Sequence, residues 1–146
     1  MKVTFFGHRD TPLSVLPKLE EVLRRLIEKE KADVFYVGGQ GSFDRMVQGV
    51  LCRLCREYPQ IQAVAVLAYM PKAGERQGSG GQFLTDTLLP AEVVCVPPRF
   101  AILRRNRWML QNSDALVCYV RYKTGGAAAM KREAKRAGKR IFELGE

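Results

Sequence analysis

Two glycine turns, Gly38-Gly39-Gln40-Gly41-Ser42 and Thr124-Gly125-Gly126, each lead directly from an apolar run into a segment with helical spacing. Glycine lets a backbone come close to an anion, and a helix start offers N–H groups that carry a positive partial charge and have no carbonyl partner. Such turns suit a phosphate. One alone is weak evidence, because glycine is also needed wherever a strand turns tightly into a helix; two at matching ends of a sheet point to a ligand site. Groups that recognise an anionic ligand stand around them. Gly7-His8-Arg9 follows the first apolar run, where Arg9 can pair with a phosphate or carboxylate and His8 can donate to a ligand oxygen; both also suit a turn packed on a neighbouring loop. Asp44, one turn into its helix, can simply favour the helix dipole, hold a ribose hydroxyl or act as a general base. Arg104, Arg105, Asn106 and Arg107 fall inside a helix. Arg104 and Arg107, one turn apart, can meet one anion together or form a solvated face, and Asn106 joins them as a ligand-binding candidate. Ala127 belongs to the first turn after Gly126, while Tyr69 and Pro71 follow the third apolar run. The glycine spacing is not G-x-G-x-x-G and no acidic residue ends the second apolar run, so a hydride-transferring dinucleotide enzyme is disfavoured.

The elements that must position these residues follow from an alternation of short apolar runs with amphipathic ones. Val3–Phe6 is the first expected strand, followed by a helix from about Ser14 with the stripe Leu16, Leu19, Leu23, Leu26 and Ile27. Val34–Val37 is a continuous apolar run of the kind found in strands covered on both faces. Ser42 is the expected N-cap of a helix carrying Phe43, Met46, Val47, Val50, Leu51 and Leu54. A strand over Ala63–Tyr69 precedes a glycine-rich loop from Pro71 to Pro90. Val93–Val96 is expected to be the fourth strand, bounded by Pro97-Pro98. A helix over Phe100–Asn112, a strand over Ala115–Val120, a last helix opened by Thr124-Gly125-Gly126 and a closing strand over Arg140–Leu144 complete the chain. The expected fold is α/β: one Rossmann-like, doubly wound, mostly parallel sheet of five to six strands with helices on both faces, formed by residues 1–146 as a single domain. Ligands of such sheets lie beyond the carboxyl ends of the strands, where the strand order reverses.

The 24 Lys and Arg against 15 Asp and Glu give a formal net charge of +9, which fits nucleic acid, small anionic ligands or solvated helix faces. Lys131, Arg132, Lys135, Arg136, Lys139 and Arg140 cluster near the C-terminus, where a solvated face is the simpler account. No run of eighteen apolar residues suggests a membrane span, no signal-peptide pattern opens the chain, and the expected setting is the cytoplasm. Cys52 and Cys55 are spaced C-x-x-C without a second pair, and the only histidine, His8, is distant in sequence; zinc needs about four ligands, so neither a metal nor a resident cofactor is expected.

Taken together, Phe5-Phe6-Gly7-His8-Arg9, Gly38-Gly39-x-Gly41-x-x-Asp44, Arg105-Asn106-Arg107-Trp108-Met109, Asn112-Ser113-Asp114-Ala115-Leu116 and Thr124-Gly125-Gly126 resemble the SLOG superfamily, which unites the Rossmann-like domains of DprA and of the Lonely Guy proteins with small stand-alone domains. The resemblance covers nearly the whole chain and is nearest to stand-alone members with a G-H-R motif. It implies a small phosphate-bearing nucleotide or nucleotide-derived ligand, with relatives of ADP-ribose or NAD among the candidates, bound and sensed across the glycine turns by a homodimer or higher oligomer. A nucleotide-processing hydrolase of the Lonely Guy type is an alternative, but its P-G-G-x-G-T-x-x-E turn is not intact. Ala128 and Ala129 replace the second glycine and the threonine, and Arg132 takes the acidic position, with Glu133 one residue late. Asp44 and Glu133 are therefore the catalytic candidates of that alternative. A DprA-like domain associated with single-stranded nucleic acid is the other, for which aromatic stacking platforms are not evident in the sequence.

Overall fold

The computed structural model describes residues 1–39, 41–69 and 86–145. Its centre is β1 (Lys2–Gly7), apolar on both sides because both sides are covered: Val3 and Phe5 enter one core, Phe6 the other, as the two-residue period of a strand requires. A short 3-10 turn (Leu13–Val15) leads into α1 (Leu16–Glu28), with Pro17 in the first turn, where its missing N–H costs no helical hydrogen bond. β2 (Val34–Val37), α2 (Gly41–Glu57) and β3 (Gln62–Val66) follow. β4 (Asp86–Leu88) pairs with β3, and a short α3 (Ala91–Val94) precedes α4 (Pro98–Gln111). The chain then returns to the other side of β1 as β5 (Ala115–Tyr119), α5 (Gly126–Arg136) and β6 (Arg140–Glu143).

Among the described residues, all five strand pairings are parallel, and the order is β4-β3-β2-β1-β5-β6. The sheet grows outward from β1 to β4, then resumes at β5, so the order reverses between β1 and β5. Helices α1 and α2 cover one face, burying Leu19, Leu23, Leu26, Phe43, Val47 and Leu51 against Phe5, Phe35 and Val37. Helices α4 and α5 cover the other, where Met109, Leu110, Met130 and Ala134 meet Phe6, Val64, Val66 and Leu116.

One expected strand is a helix. The run Val93–Val96 supplies no strand; Ala91–Val94 forms α3, opened by Pro90 in extended backbone. Four apolar residues do not by themselves distinguish a strand from a helix turn, and here only Val93 is fully covered, in a small cluster with Ala68 and Ala101, while Val94 and Cys95 face outward. The sheet edge comes instead from Asp86–Leu88, inside the expected Pro71–Pro90 loop. The glycines of that loop lie outside the described residues.

Gly7 ends β1 against the ring of Phe43, which is fully buried; a Cβ at position 7 would overlap that ring. Gly7→Ala is expected to lower stability by about 1–3 kcal/mol, the usual range for overpacking a core. In a Phe43→Leu background the same substitution should cost at least about 0.5 kcal/mol less, as coupled neighbours do. Urea denaturation of the four proteins measures both; equal losses in the two backgrounds would show that the ring is not the obstacle.

Candidate functional site

The turn after β1 is fastened to the start of α2. The His8 carbonyl accepts from the Thr11 hydroxyl (2.6 Å) and from its N–H (3.3 Å). The Arg9 carbonyl accepts from the Ser42 N–H (3.0 Å), and the Thr11 carbonyl from the Ser42 hydroxyl (3.1 Å). Gly41 has φ +85 and passes so close to Arg9 that a Cβ would lie 2.7 Å from the Arg9 Cα; both facts call for glycine. Ser42 is therefore not the N-cap that its residue type suggests. It lies inside α2, and its hydroxyl and N–H hold the β1 turn instead of the helix end, so the α2 start has one fewer N–H for an anion.

His8 is turned toward the segment after β5. Its Nε2 accepts the backbone N–H of Arg121 at 2.7 Å and that of Tyr122 at 3.3 Å. A backbone N–H can only donate, so Nε2 carries the lone pair and Nδ1 the proton. The ring lies 4.7 Å from that of Tyr122 and meets Tyr119 edge-on at 6.1 Å, and the Tyr122 hydroxyl donates to Asp10 at 3.3 Å.

Helix α4 sends Arg105 across the carboxyl end of the sheet. Its side chain is only 3% exposed. Nη1 donates to the Val66 carbonyl at 3.2 Å, and Nε to Asn106 Oδ1 at 2.8 Å. Gly38 packs on this group: a Cβ there would lie 2.9 Å from the guanidinium carbon and 3.0 Å from Asp44 Oδ2. Asp44, from the opposite helical layer, thus shares its position with Arg105. Burial pushes the guanidinium below its ordinary pKa, and the neighbouring Asp44 carboxylate opposes that shift. The Gly38 carbonyl is itself held by Gln48 Nε2 at 2.9 Å.

These elements enclose a cavity of about 300 Å³ at the β1/β5 reversal. Phe5, Phe6, Gly7, His8 and Arg9 supply one wall, Asp44 a second, and Ile102, Arg105, Asn106 and Met109 of α4 a third. Gly126 and Ala127 close it with the first turn of α5, which Gly125 enters at φ +101, with the Ala129 N–H donating to the Gly125 carbonyl.

Seven of the residues singled out from sequence thus share the cavity: Gly7, His8, Arg9, Asp44, Asn106, Gly126 and Ala127. Gly38, Gly41 and Ser42 shape it from behind, through the packing and hydrogen bonds above. Gly39, Tyr69, Thr124 and Gly125 are exposed and do not line it, although Tyr69 is near enough to Arg105 to act on its charge. Pro71 lies outside the described residues. Arg104 is exposed and away from the cavity. Arg107 turns to α5, where Nε and Nη2 donate to Glu133 Oε1 at 3.2 and 3.1 Å, so Arg104 and Arg107 do not converge on the cavity and Glu133 stands outside it. The residue missed was Arg105. Its signal lay in the helix spacing, since Ala101, Arg105 and Met109 recur at i, i+4 and i+8 on one face and the outer two are buried. Among the described residues no group of three His, Cys, Asp or Glu is placed to hold a metal, and no helix is long and apolar enough to cross a membrane.

The fold, a parallel six-stranded sheet with helices, matches part of solved structures of DNA processing protein A (DprA). The chain superposes on DprA from Helicobacter pylori, a protein studied for its single-stranded DNA binding mode, with a TM-score of 0.65 and 18% identity over 98% of this chain and 64% of that one. DprA from Streptococcus pneumoniae gives 0.67 and 20% over 97% and 49%. The chain therefore spans about half to two-thirds of the length of these structures. No family model and no curated protein matches the sequence.

Arg105 and Asp44 are opposite charges, both buried and acting on one another, and removing one of two such charges costs up to about 3–5 kcal/mol. Arg105→Met is expected to lose stability in that range. Arg105→Met combined with Asp44→Leu should recover part of the loss, because neither charge is then left alone. Thermal and urea unfolding test this; strictly additive effects would mean that the two groups do not depend on each other.

Proposed function

We propose that the cavity binds a phosphate-bearing nucleotide or nucleotide-derived ligand. The observation that carries this reading is the convergence of the β1 turn, the α5 start and a buried guanidinium on one cavity at the strand-order reversal, where open α/β sheets hold their ligands. Its volume is at the lower end of the roughly 300–1,000 Å³ of small-molecule sites. In this reading the N–H groups that open α5 take the phosphate, Arg9 supplies an exposed countercharge, and buried Arg105 adds positive potential from below. Asn106 has its oxygen engaged by Arg105, which leaves its amide N–H₂ for the ligand. His8 has Nε2 engaged by the backbone, which leaves Nδ1–H as its donor. Asp44 is suited to a ribose hydroxyl. Nothing specific favours the hydrolase: Asp44 is the one carboxylate lining the cavity among the described residues, and Glu133 is held by Arg107 elsewhere.

A second reading is favoured by the fold comparison. Both structures named above are DprA, one of them studied for binding single-stranded DNA, and a net charge of +9 suits a polyanion. Here the phosphate in the cavity belongs to a nucleic-acid strand.

Calorimetric titration with AMP and with oligothymidylate separates the two. AMP binding should depend shallowly on salt, whereas a strand should give a slope approaching about 0.7 per phosphate contacted. Binding of the oligonucleotide alone would favour the second reading over the first. Arg9→Ala should weaken AMP by about 1.5–3 kcal/mol, the range for hydrogen bonds to charged groups. Gly126→Asp, at the exposed first position of α5 where an added Cβ meets nothing within 4 Å, should leave stability unchanged or raise it by about 0.3–1 kcal/mol, since a carboxylate suits a helix start, while AMP affinity falls at least about tenfold through competition for the same N–H groups. AMP affinity unchanged in both variants would remove the phosphate from this cavity.

A further inference from the structure

Beside the cavity lies a second concavity of about 320 Å³, between the β5–α5 connection and α5, floored by Val120 and Ala128 and otherwise lined by Arg121, Tyr122, Lys123, Lys131, Arg132 and Lys135. Five of these six are cations and none is acidic. Lys131 is paired with Glu143 of β6, and Arg132 donates to the Lys123 carbonyl at 3.0 Å. The helix macrodipole accounts for Lys135, which lies in the last turn of α5 with Arg136. It does not account for Arg121 and Lys123, which precede the helix at its positive end, where cations are disfavoured.

The groove also contains an exposed aromatic ring with a fixed orientation. Tyr122 is 48% exposed, its ring rests on His8 at 4.7 Å, and its hydroxyl is tied to Asp10. His8 lines the cavity and Tyr122 the groove, so the two concavities adjoin at the His8–Tyr122 contact.

We propose that this groove is a binding surface for single-stranded nucleic acid, in which Arg121, Lys123, Arg132 and Lys135 follow the phosphodiester backbone and Tyr122 stacks a base. Cations flanking an exposed ring are the combination that unpaired strands use. A duplex offers no free base face to Tyr122. A lipid surface is a poor match, because the cations line a concavity and, among the described residues, Tyr122 is the one exposed large side chain with apolar character in its lining. The proposal rests on the second reading above, extending it from the cavity to the path of the strand.

Fluorescence anisotropy with a labelled oligothymidylate of about 20 nucleotides, longer than the roughly 4–16 that a small single-strand-binding module covers, tests it on the full chain. Lys123→Glu with Lys135→Glu is expected to weaken binding at least about tenfold and to reduce the salt slope by about 0.7 for each phosphate that is no longer neutralised. Lys18→Glu with Arg25→Glu makes the same change of charge on exposed positions of α1 and should weaken binding less than about threefold if charge acts locally. Tyr122→Ala should weaken it about five- to one-hundredfold because the base has no ring to stack on, while Tyr122→Phe, which keeps the ring, stays within about threefold. Circular dichroism of each variant confirms folding. Equal losses in the two double variants would overturn the proposal in favour of diffuse charge. Wild-type affinity in the groove variants, with binding abolished in Arg9→Ala, would overturn the groove and leave the second reading standing. An unmodified chain that binds no oligothymidylate refutes both, and AMP titration of the same sample reports separately on the cavity. Binding to phosphatidylserine vesicles that exceeds binding to the oligonucleotide, and is indifferent to Tyr122→Ala, would overturn it for a lipid surface.

Discussion

A buried guanidinium at the end of a sheet must be matched on several sides, because an ion removed from water loses several kcal/mol of solvation. Arg105 meets that requirement by joining parts of the chain that otherwise stay on opposite faces. It rises from α4, on the same face as α5; its charge is answered by Asp44 of α2, which belongs to the other layer. One of its N–H groups finishes the end of β3 through the Val66 carbonyl, and another fixes the orientation of Asn106. Gly38 then has to be a glycine because the pair occupies the volume of its missing side chain. Arg105 and Asp44 both line the cavity, so these two side chains from opposite helical layers form part of its wall.

A second constraint comes from close approach rather than charge. Phe43 packs on Gly7, and Gly41 passes against Arg9, so the β1 turn and the α2 start are pressed together. The hydrogen bonds from Ser42 to Arg9 and Thr11 close the remaining polar groups of that junction. The donors of the β1 turn are in this way presented by two packed elements, which suits a site needing little rearrangement on binding.

The likeness to DprA fits this account at the level of architecture. Parallel strands with a reversal next to the first strand place a crevice at the carboxyl ends whatever chemistry the crevice serves, and one fold can host many activities. Chemical choice rests with the side chains: one carboxylate beside a buried cation, an amide, a histidine of fixed tautomer, and a cationic groove with an aromatic ring next door. In the function proposed above, that set serves to hold an anion.

The fold was legible in the sequence because its main strands are buried on both faces and its helices carry strong apolar stripes. Val34–Val37 forms β2 over those same residues, β1 and β5 differ from expectation by a residue or so, and the glycine turn before α5 falls where expected. Local pattern also named most of the residues that line the cavity, since positions just after parallel strands must collect at one edge. Where two structures share a pattern, sequence was insufficient: Val93–Val96 has the composition of a strand, and the packing of Val93 between Ala68 and Ala101 made Ala91–Val94 a helix turn. Side-chain partnership was the other limit. Nothing local says that Arg107 turns to Glu133 while Arg105 turns inward, that Ser42 serves a neighbouring turn instead of its own helix, or that Tyr122 meets His8 across more than a hundred residues of chain. Periodicity determines which face of an element is buried, because that depends on the residue's own hydrophobicity; which buried or polar group lies opposite is decided only when separate elements pack, and here that packing made the site.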